Sequence, residues 1–280
     1  MGRTQTTRSN GCLREYSRGP ELTTIQVVAE TVSTSDADDA AFQALEDVAA
    51  IASELDDILV VGGQMVSLLL AAFPATGSIA RRTGDADAAM TTAIAASGTV
   101  HDRLIALGYK GVSGNHYERG VGGEVAVDLL VPAVGGAFGR AEHGGRAFDA
   151  VPGVRLALSG HRILVDVGAT FRDGSRRQFT VRLPCVETAV ILKAYAARSR
   201  LEAKDITDLY NLFLIVNQHD PDAIGGWKLN ETSLSGSRSD AAGILHRLTE
   251  AIKRSDEIRG AGVPVTTFVA LIRRHITDPR

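Results

Sequence analysis

The chain has 280 residues, 44% of them apolar and 22% charged, enough to bury a core without disulfides or metal staples. Its formal net charge of −3 excludes a general polyanion binder, so any nucleic-acid contact must use a local basic patch. Its two cysteines, Cys12 and Cys185, lie far apart, which excludes a disulfide framework and a cysteine-built zinc site and fits a reducing compartment.

Residues 1–36 read as a loose polar extension rich in Thr, Ser and Arg, strand-like only from Thr24 to Val28. No apolar segment accompanies Arg3 and Arg8, so no signal peptide is expected. Ser35 and Asp36 are candidate caps for a helix from about Asp38 to Leu55, with Ala41, Leu45, Val48 and Ile51 as its inward stripe. Ile58 to Val61 is a short apolar run ending in Gly62-Gly63, the pattern of a buried strand and a tight turn. A helix from Met65 to Phe73 follows, stopped near Pro74. The whole stretch Ile58 to Phe73 is too short and too polar to span a membrane, and the expected location is the cytoplasm.

Asp85 to Met90 is the next expected strand, Thr91 to Leu107 a helix, and Tyr109 to Val112 and His116 to Arg119 short strands. Val125 to Val131 is a clear strand carrying Asp128. Five glycines mark 134–146 as a flexible loop or lid. Alternation at Arg155 to Leu158, Ile163 to Val167 and Gln178 to Leu183 predicts further strands. After Pro184 the apolar period becomes helical, through Val186, Ala189, Val190, Ala194 and Ala197, then Leu209, Leu212, Phe213 and Val216. Segments 241–258 and 266–276 complete a helical C-terminal half, and the polar loop Gly225 to Ser239 before them holds the only tryptophan, Trp227. The expected domains are an extension (1–36), an α/β domain (37–183) and a helical domain (184–280).

Chemistry concentrates in Arg82-Thr83-Gly84-Asp85-Ala86-Asp87. Carboxylates at i and i+2 of a strand share a face about 7 Å apart. They repel unless a divalent cation lies between them, as Mg²⁺ does in phosphoryl-transfer sites. The paired glycines upstream let backbone approach a phosphate closely. Asp128 is the chosen third carboxylate, since a lone acid in an apolar strand is costly unless paired or metal-bound. Asp166, in a similar run, is its rival for that place. Together these features point to a metal-dependent nucleotidyltransferase using Mg²⁺, with Mn²⁺ as the substitute ion. The bland alternative is a set of solvated turn acids.

Lys193 shares a helix face with Ala189, Val190 and Ala197; it is either a cation reaching phosphate or a snorkelling lysine. Lys204, Asp205 and Asp208 open the next helix. The two acids either favour the helix N-terminus or face the cleft and hold Lys193, Arg82 or a metal-bound water. Arg172, Arg176, Arg177 and Arg182 gather on an expected hairpin, as ordinary solvated charge or as an RNA groove. Walker, dinucleotide and nucleophile-elbow motifs are absent. The histidines, His116 among them, read as surface or turn residues.

In this order, Gly62-Gly63, Arg82-Thr83-x-Asp85-x-Asp87, Asp128, Lys193 and Lys204-Asp205-x-x-Asp208 resemble the AbiEii-like nucleotidyltransferases, toxins of type IV toxin–antitoxin systems. The resemblance covers about residues 45 to 220 and departs at Gln64, where many nucleotidyltransferases carry a serine after the glycine, and at Ala88-Ala89. It implies a DNA-polymerase-β-like α/β nucleotidyltransferase domain with a mixed sheet, followed by an α-helical bundle. It implies Asp85, Asp87 and Asp128 as metal ligands and catalytic groups, Lys193 on the triphosphate, and Asp208 completing the site. Gly62, Gly63, Arg82, Thr83, Lys204 and Asp205 would complete the nucleotide contacts. The implied activity passes a nucleoside monophosphate from an NTP to an RNA hydroxyl, most plausibly the tRNA 3′ acceptor end, blocking translation. An antitoxin protein is the implied partner. A protein or small-molecule acceptor, or a silent nucleotide-binding module, are the alternatives.

Overall fold

The computed structural model describes residues 24–252 and 262–278. Cys12, most of the N-terminal extension and the end of the helix expected at 241–258 lie outside the described residues. Among those described, the chain is a mixed α/β protein with two mixed sheets. No helix of the described residues is long and apolar enough to cross a membrane.

The strand at Thr24–Val32 (β1) opens the described chain. It pairs parallel along its whole length with Arg162–Thr170 (β9), which pairs antiparallel with Arg176–Pro184 (β10). Residues 24–32, expected within a loose extension, are thus a sheet edge. Partners across β9, 138 residues away in sequence at Thr24↔Arg162, decide this, not local propensity. Helix α1 (Asp36–Glu54) starts where expected: Ser35 accepts from the Asp38 amide and caps it. Its buried stripe includes Ala41, Leu45, Val48 and Ile51, each larger side chain worth roughly 2 kcal/mol of burial.

The second sheet runs β2 (Ile58–Val61), β3 (Asp85–Met90), β6 (Val125–Pro132), β5 (His116–Arg119), β4 (Lys110–Ser113). Strands β3 and β6 are parallel at its centre, and Asp87 is directly opposite Asp128. The far end of β6 pairs with β8 (Arg146–Val151), which forms a hairpin with β7 (Gly139–His143). The glycine-rich 134–146 segment, expected as a loop or lid, is therefore partly strand. Alternating backbone partners across β8 outweigh its glycines.

Helix α2 (Gly62–Ala72) begins at the paired glycines, with no separate turn after β2. The helix expected from Thr91 to Leu107 is two, α3 (Thr92–Ser97) and α4 (Thr99–Ala106), broken at Gly98, whose φ of 74° is left-handed. Residues expected as a strand at Arg155 to Leu158 are instead helix α5 (Val154–Ser159), since Val154, Ala157 and Leu158 bury one helical face. Helices α6 (Val186–Arg200), α7 (Ala203–Gln218), α8 (Gly236–Ile252) and α9 (Val265–His275) follow. Helix α6 packs on α7 and α8, and α9 packs on both of those. Through α2 and the 74–84 loop, this helical layer is bound to the α/β part. Asn211 of α7 makes a two-way amide clasp with the Ile79 backbone, at 2.9 Å each way, and Gln218 does the same with Thr76 at 2.8 and 3.1 Å.

Candidate active site

Three strand-borne carboxylates converge. Oxygens of Asp85, Asp87 and Asp128 lie within 4.8 Å of one another. The strand period puts Asp85 and Asp87 on one face, and the parallel register of β3 and β6 brings Asp128 across. Among the described residues, no Lys, Arg or His side chain pairs with Asp85 or Asp87. Asp87 opens toward a cavity yet is surrounded by protein, and its pKa is raised to about 7, first by burial and then by Asp85 and Asp128. Asp128 is also raised, by burial, against the opposing hydrogen bond from His116. Three acids that repel at this distance make an all-oxygen donor set of the kind hard divalent cations take, so the triad could hold such an ion.

Gly62 explains itself here. Its φ of 68° is left-handed, and a Cβ on it would overlap the Asp87 carboxylate. The first turn of α2 therefore lies directly against the triad. The N-terminal end of α2 has no side-chain cap and no acid in its first turn, so its amides are left for the cavity.

That cavity, about 450 Å³, is lined by Gly62, Gly63, Thr83, Asp85, Asp87 and Asp128, and by the cations Arg81, Lys193, Arg200 and Lys204. Three of these cations are held from behind. Lys193 is buried, its Nζ 2.6 Å from Asp208, and Arg81 reaches the same carboxylate at 3.3 Å. Burial raises the Asp208 pKa despite these two charges. Arg200 grips Asp205 through two nitrogens, at 2.6 and 2.9 Å, and this bond leads the causes that hold its guanidinium charged. Asp205 and Asp208 thus hold cations in place, and neither lines the cavity.

The predicted site residues fall into groups. Asp85, Asp87, Asp128, Gly62, Gly63, Thr83, Lys193 and Lys204 share the cavity. Arg82 does not; it turns away and pairs with Asp38 at the start of α1, while its neighbour Arg81 takes the inward place. One-residue alternation in an irregular loop, unreadable from sequence, sets which arginine points in. Asp166 sits half-buried on the other sheet with Gln26 and Thr180 donating to it, and these bonds lower its pKa. It is no rival to Asp128.

The hairpin arginines are engaged as well. Arg172 pairs with Asp36, Arg176 with Glu30, Arg177 with Glu46 and Arg182 with Asp56. They dress α1 and β1 rather than form an open basic groove.

Sequence reading missed three contributors. His116 of β5 lies beside Asp128, with Nδ1 2.7 Å from its carboxylate and Nε2 2.9 Å from Glu118. Burial pulls its pKa down, but the two carboxylates more than reverse this and raise it. The alternation His116-Tyr117-Glu118 was the available signal, since it puts both polar groups on one strand face. Arg81 had no signal beyond adjacency to Arg82. Asp149 of β8 also lines the cavity, reached only through the β6–β8 pairing.

Fold and site together define a mixed α/β protein with a cation-walled cavity around a metal-competent acidic triad. No family profile and no curated protein matches the chain. Among solved structures, it is similar to the antibiotic-resistance factor ANT(2'')-Ia, with 12% identity over 79% of this chain and 97% of that one and a TM-score of 0.41. It is also similar to an antigenic nucleotidyltransferase-like protein from Paracoccidioides brasiliensis, with 17% identity, coverage of 76% and 89%, and a TM-score of 0.37. The chemistry of this chain rests on its own side chains.

Proposed function

We propose that this chain is a nucleotidyltransferase, passing a nucleoside monophosphate from an NTP to an acceptor hydroxyl. One observation carries the reading: three clustered carboxylates, of which Asp85 and Asp87 have no cationic partner among the described residues and Asp128 has only His116, meet four cations and the open N-terminus of α2 in a single cavity. Mg²⁺, or Mn²⁺ in its place, would be held by the triad, where it would neutralise phosphate charge and favour the alkoxide of the acceptor. Lys193, Arg81, Arg200 and Lys204 bind the triphosphate oxygens. The acceptor oxygen attacks the α-phosphorus, the bond to the bridging oxygen breaks, and pyrophosphate leaves. Asp128, oriented by His116, takes the acceptor proton.

The finer part of the proposal is a toxin acting on the tRNA 3′ acceptor end, with a cognate antitoxin. It is supported by the motif Arg82-Thr83-Gly84-Asp85-Ala86-Asp87 followed by Lys204-Asp205-x-x-Asp208. A small-molecule or protein hydroxyl is the second reading. The arginines that would have formed an RNA groove are each paired with a carboxylate of α1, β1 or the turn at Asp56, which favours it. Purified protein with Mg²⁺ and α-labelled NTPs is incubated with total RNA, a protein fraction or a small-molecule fraction. Label in one pool, lost with Asp85→Ala, supports transfer and names the acceptor class. Label retained by Asp85→Ala, or absent from all pools, overturns it.

A further inference from the structure

Helix α2 brings no hydroxyl of its own to the cavity. Gln64 turns to the Thr83 carbonyl, donating at 3.2 Å, and the Ser67 hydroxyl donates back to the Gly63 carbonyl at 3.3 Å. Gly63 is not in the left-handed region, so its backbone would accept a side chain. A neighbour prevents it. A Cβ at Gly63 would overlap the Thr83 hydroxyl, with the Thr83 Cβ 2.9 Å and Arg81 Nη1 2.7 Å away. The Thr83 hydroxyl therefore fills the volume that a side chain at 63 would occupy, directly over the first turn of α2.

The hydrogen-bond direction there is set. Arg81 Nη1 donates to Thr83 Oγ1 at 3.0 Å, and Arg81 is in turn anchored by Asp208. Thr83 Oγ1 is the acceptor in that bond, so its own proton is left for another oxygen. Thr83, Gly63, Arg81 and Lys193 all line the same cavity.

We propose that Thr83 supplies, from the 79–84 loop, the hydroxyl that donates to a phosphate oxygen of the bound triphosphate, in the place a side chain at position 63 would otherwise hold. The proposal rests on the nucleotidyltransferase reading and adds a named donor to it. Glycine at 63 is then a consequence: helix and loop share one position, and only one of them can fill it.

Calorimetry on the full chain with magnesium tripolyphosphate, and with magnesium ATP, tests this. Thr83→Ala loses one hydrogen bond to a charged group and is expected to bind both probes roughly tenfold more weakly, while Thr83→Ser stays within about threefold of wild type. Moving the hydroxyl is the sharper measurement. Gly63→Ser alone collides with Thr83 and is expected to lower both melting temperature and binding. Alanine at 83 would leave a Cβ too close, so the partner change is Thr83→Gly. The Gly63→Ser/Thr83→Gly protein is expected to recover binding well above Thr83→Gly alone, to within about threefold of wild type. A threonine that only braced the loop would show no such recovery. Thr83→Ala binding as tightly as wild type, or a double variant binding no better than Thr83→Gly, overturns the proposal. If the double variant does not fold, the Thr83→Ala and Thr83→Ser pair decides. Wild-type protein that binds neither probe overturns the nucleotidyltransferase reading itself, a result distinct from the others.

Discussion

Two acidic clusters serve one cavity, the first lining it and the second holding its cations from behind, and they behave oppositely. Asp85, Asp87 and Asp128 lie on neighbouring strands with their carboxylates clustered, and among the described residues no cation is paired to the first two. Asp205 and Asp208 lie on one helix turn, buried, and each grips cations: Arg200 for one, Lys193 and Arg81 for the other. In sequence both are acids placed in apolar elements. The fold leaves the first repulsive, which suits an added divalent ion. It completes the second, whose acids fix cations toward the cavity. Neutralising a member should therefore relieve the fold in one cluster and break it in the other.

The largest expected effect is at the triad. Asp85→Ala should lower nucleotidyl transfer by roughly 10³-fold or more, because it removes a ligand from the proposed ion. The metal-free melting temperature should hold or rise, since one repulsive charge is gone. A drop of many degrees would undo the contrast drawn here. Asp208→Asn comes next. It leaves Lys193 buried without its counter-charge and should cost about 3 kcal/mol of stability, read from urea unfolding.

The proton affinity of Asp87 gives a graded test. Its pKa is about 7 in the fold against an ordinary 3.8. Below about 7 a proton competes with the metal, so Mn²⁺ affinity should fall up to tenfold per unit of decreasing pH and level off above it. The same shift makes the metal-free fold lose stability as pH rises from about 4 to about 7, where the native state keeps a proton the unfolded chain has released. Titrations at several pH values check both signs, and Asp87→Asn should remove the Asp87 contribution and leave a shallower dependence from Asp128 and His116.

His116→Gln should weaken Mn²⁺ binding by about tenfold through loss of the hydrogen bond that orients Asp128, with little change in melting temperature. The smallest effect is expected on the outer sheet. Arg176→Ala removes an exposed pair with Glu30 and should change stability by less than about 1 kcal/mol and leave any RNA labelling unaltered. A marked loss of RNA labelling would restore these arginines to an acceptor groove.

Local pattern went far in this chain. The α1 stripe and its Ser35 cap, the apolar β2 run, the lone acid in β6 and the helical period after Pro184 are all short-range signals, and each appears in the fold. Composition and period could not place the β7–β8 hairpin, because its glycines read as a loop and β8 is seated on β6, nor tell α5 from a strand, because its buried face is set by packing on β2, β3, β6 and α6. The Asp85–Asp87 spacing was legible because a strand's period of two is local.

Sequence alone thus determined which residues carry charge, which faces are apolar, and that two acids share a strand face. Only the tertiary structure decided that Asp128 and not Asp166 meets them, that Arg81 and not Arg82 turns inward, and that His116 braces the third acid. Strand register and loop direction set those choices. Both arise from packing between segments tens of residues apart, where a one-residue slip sends a side chain to the opposite face.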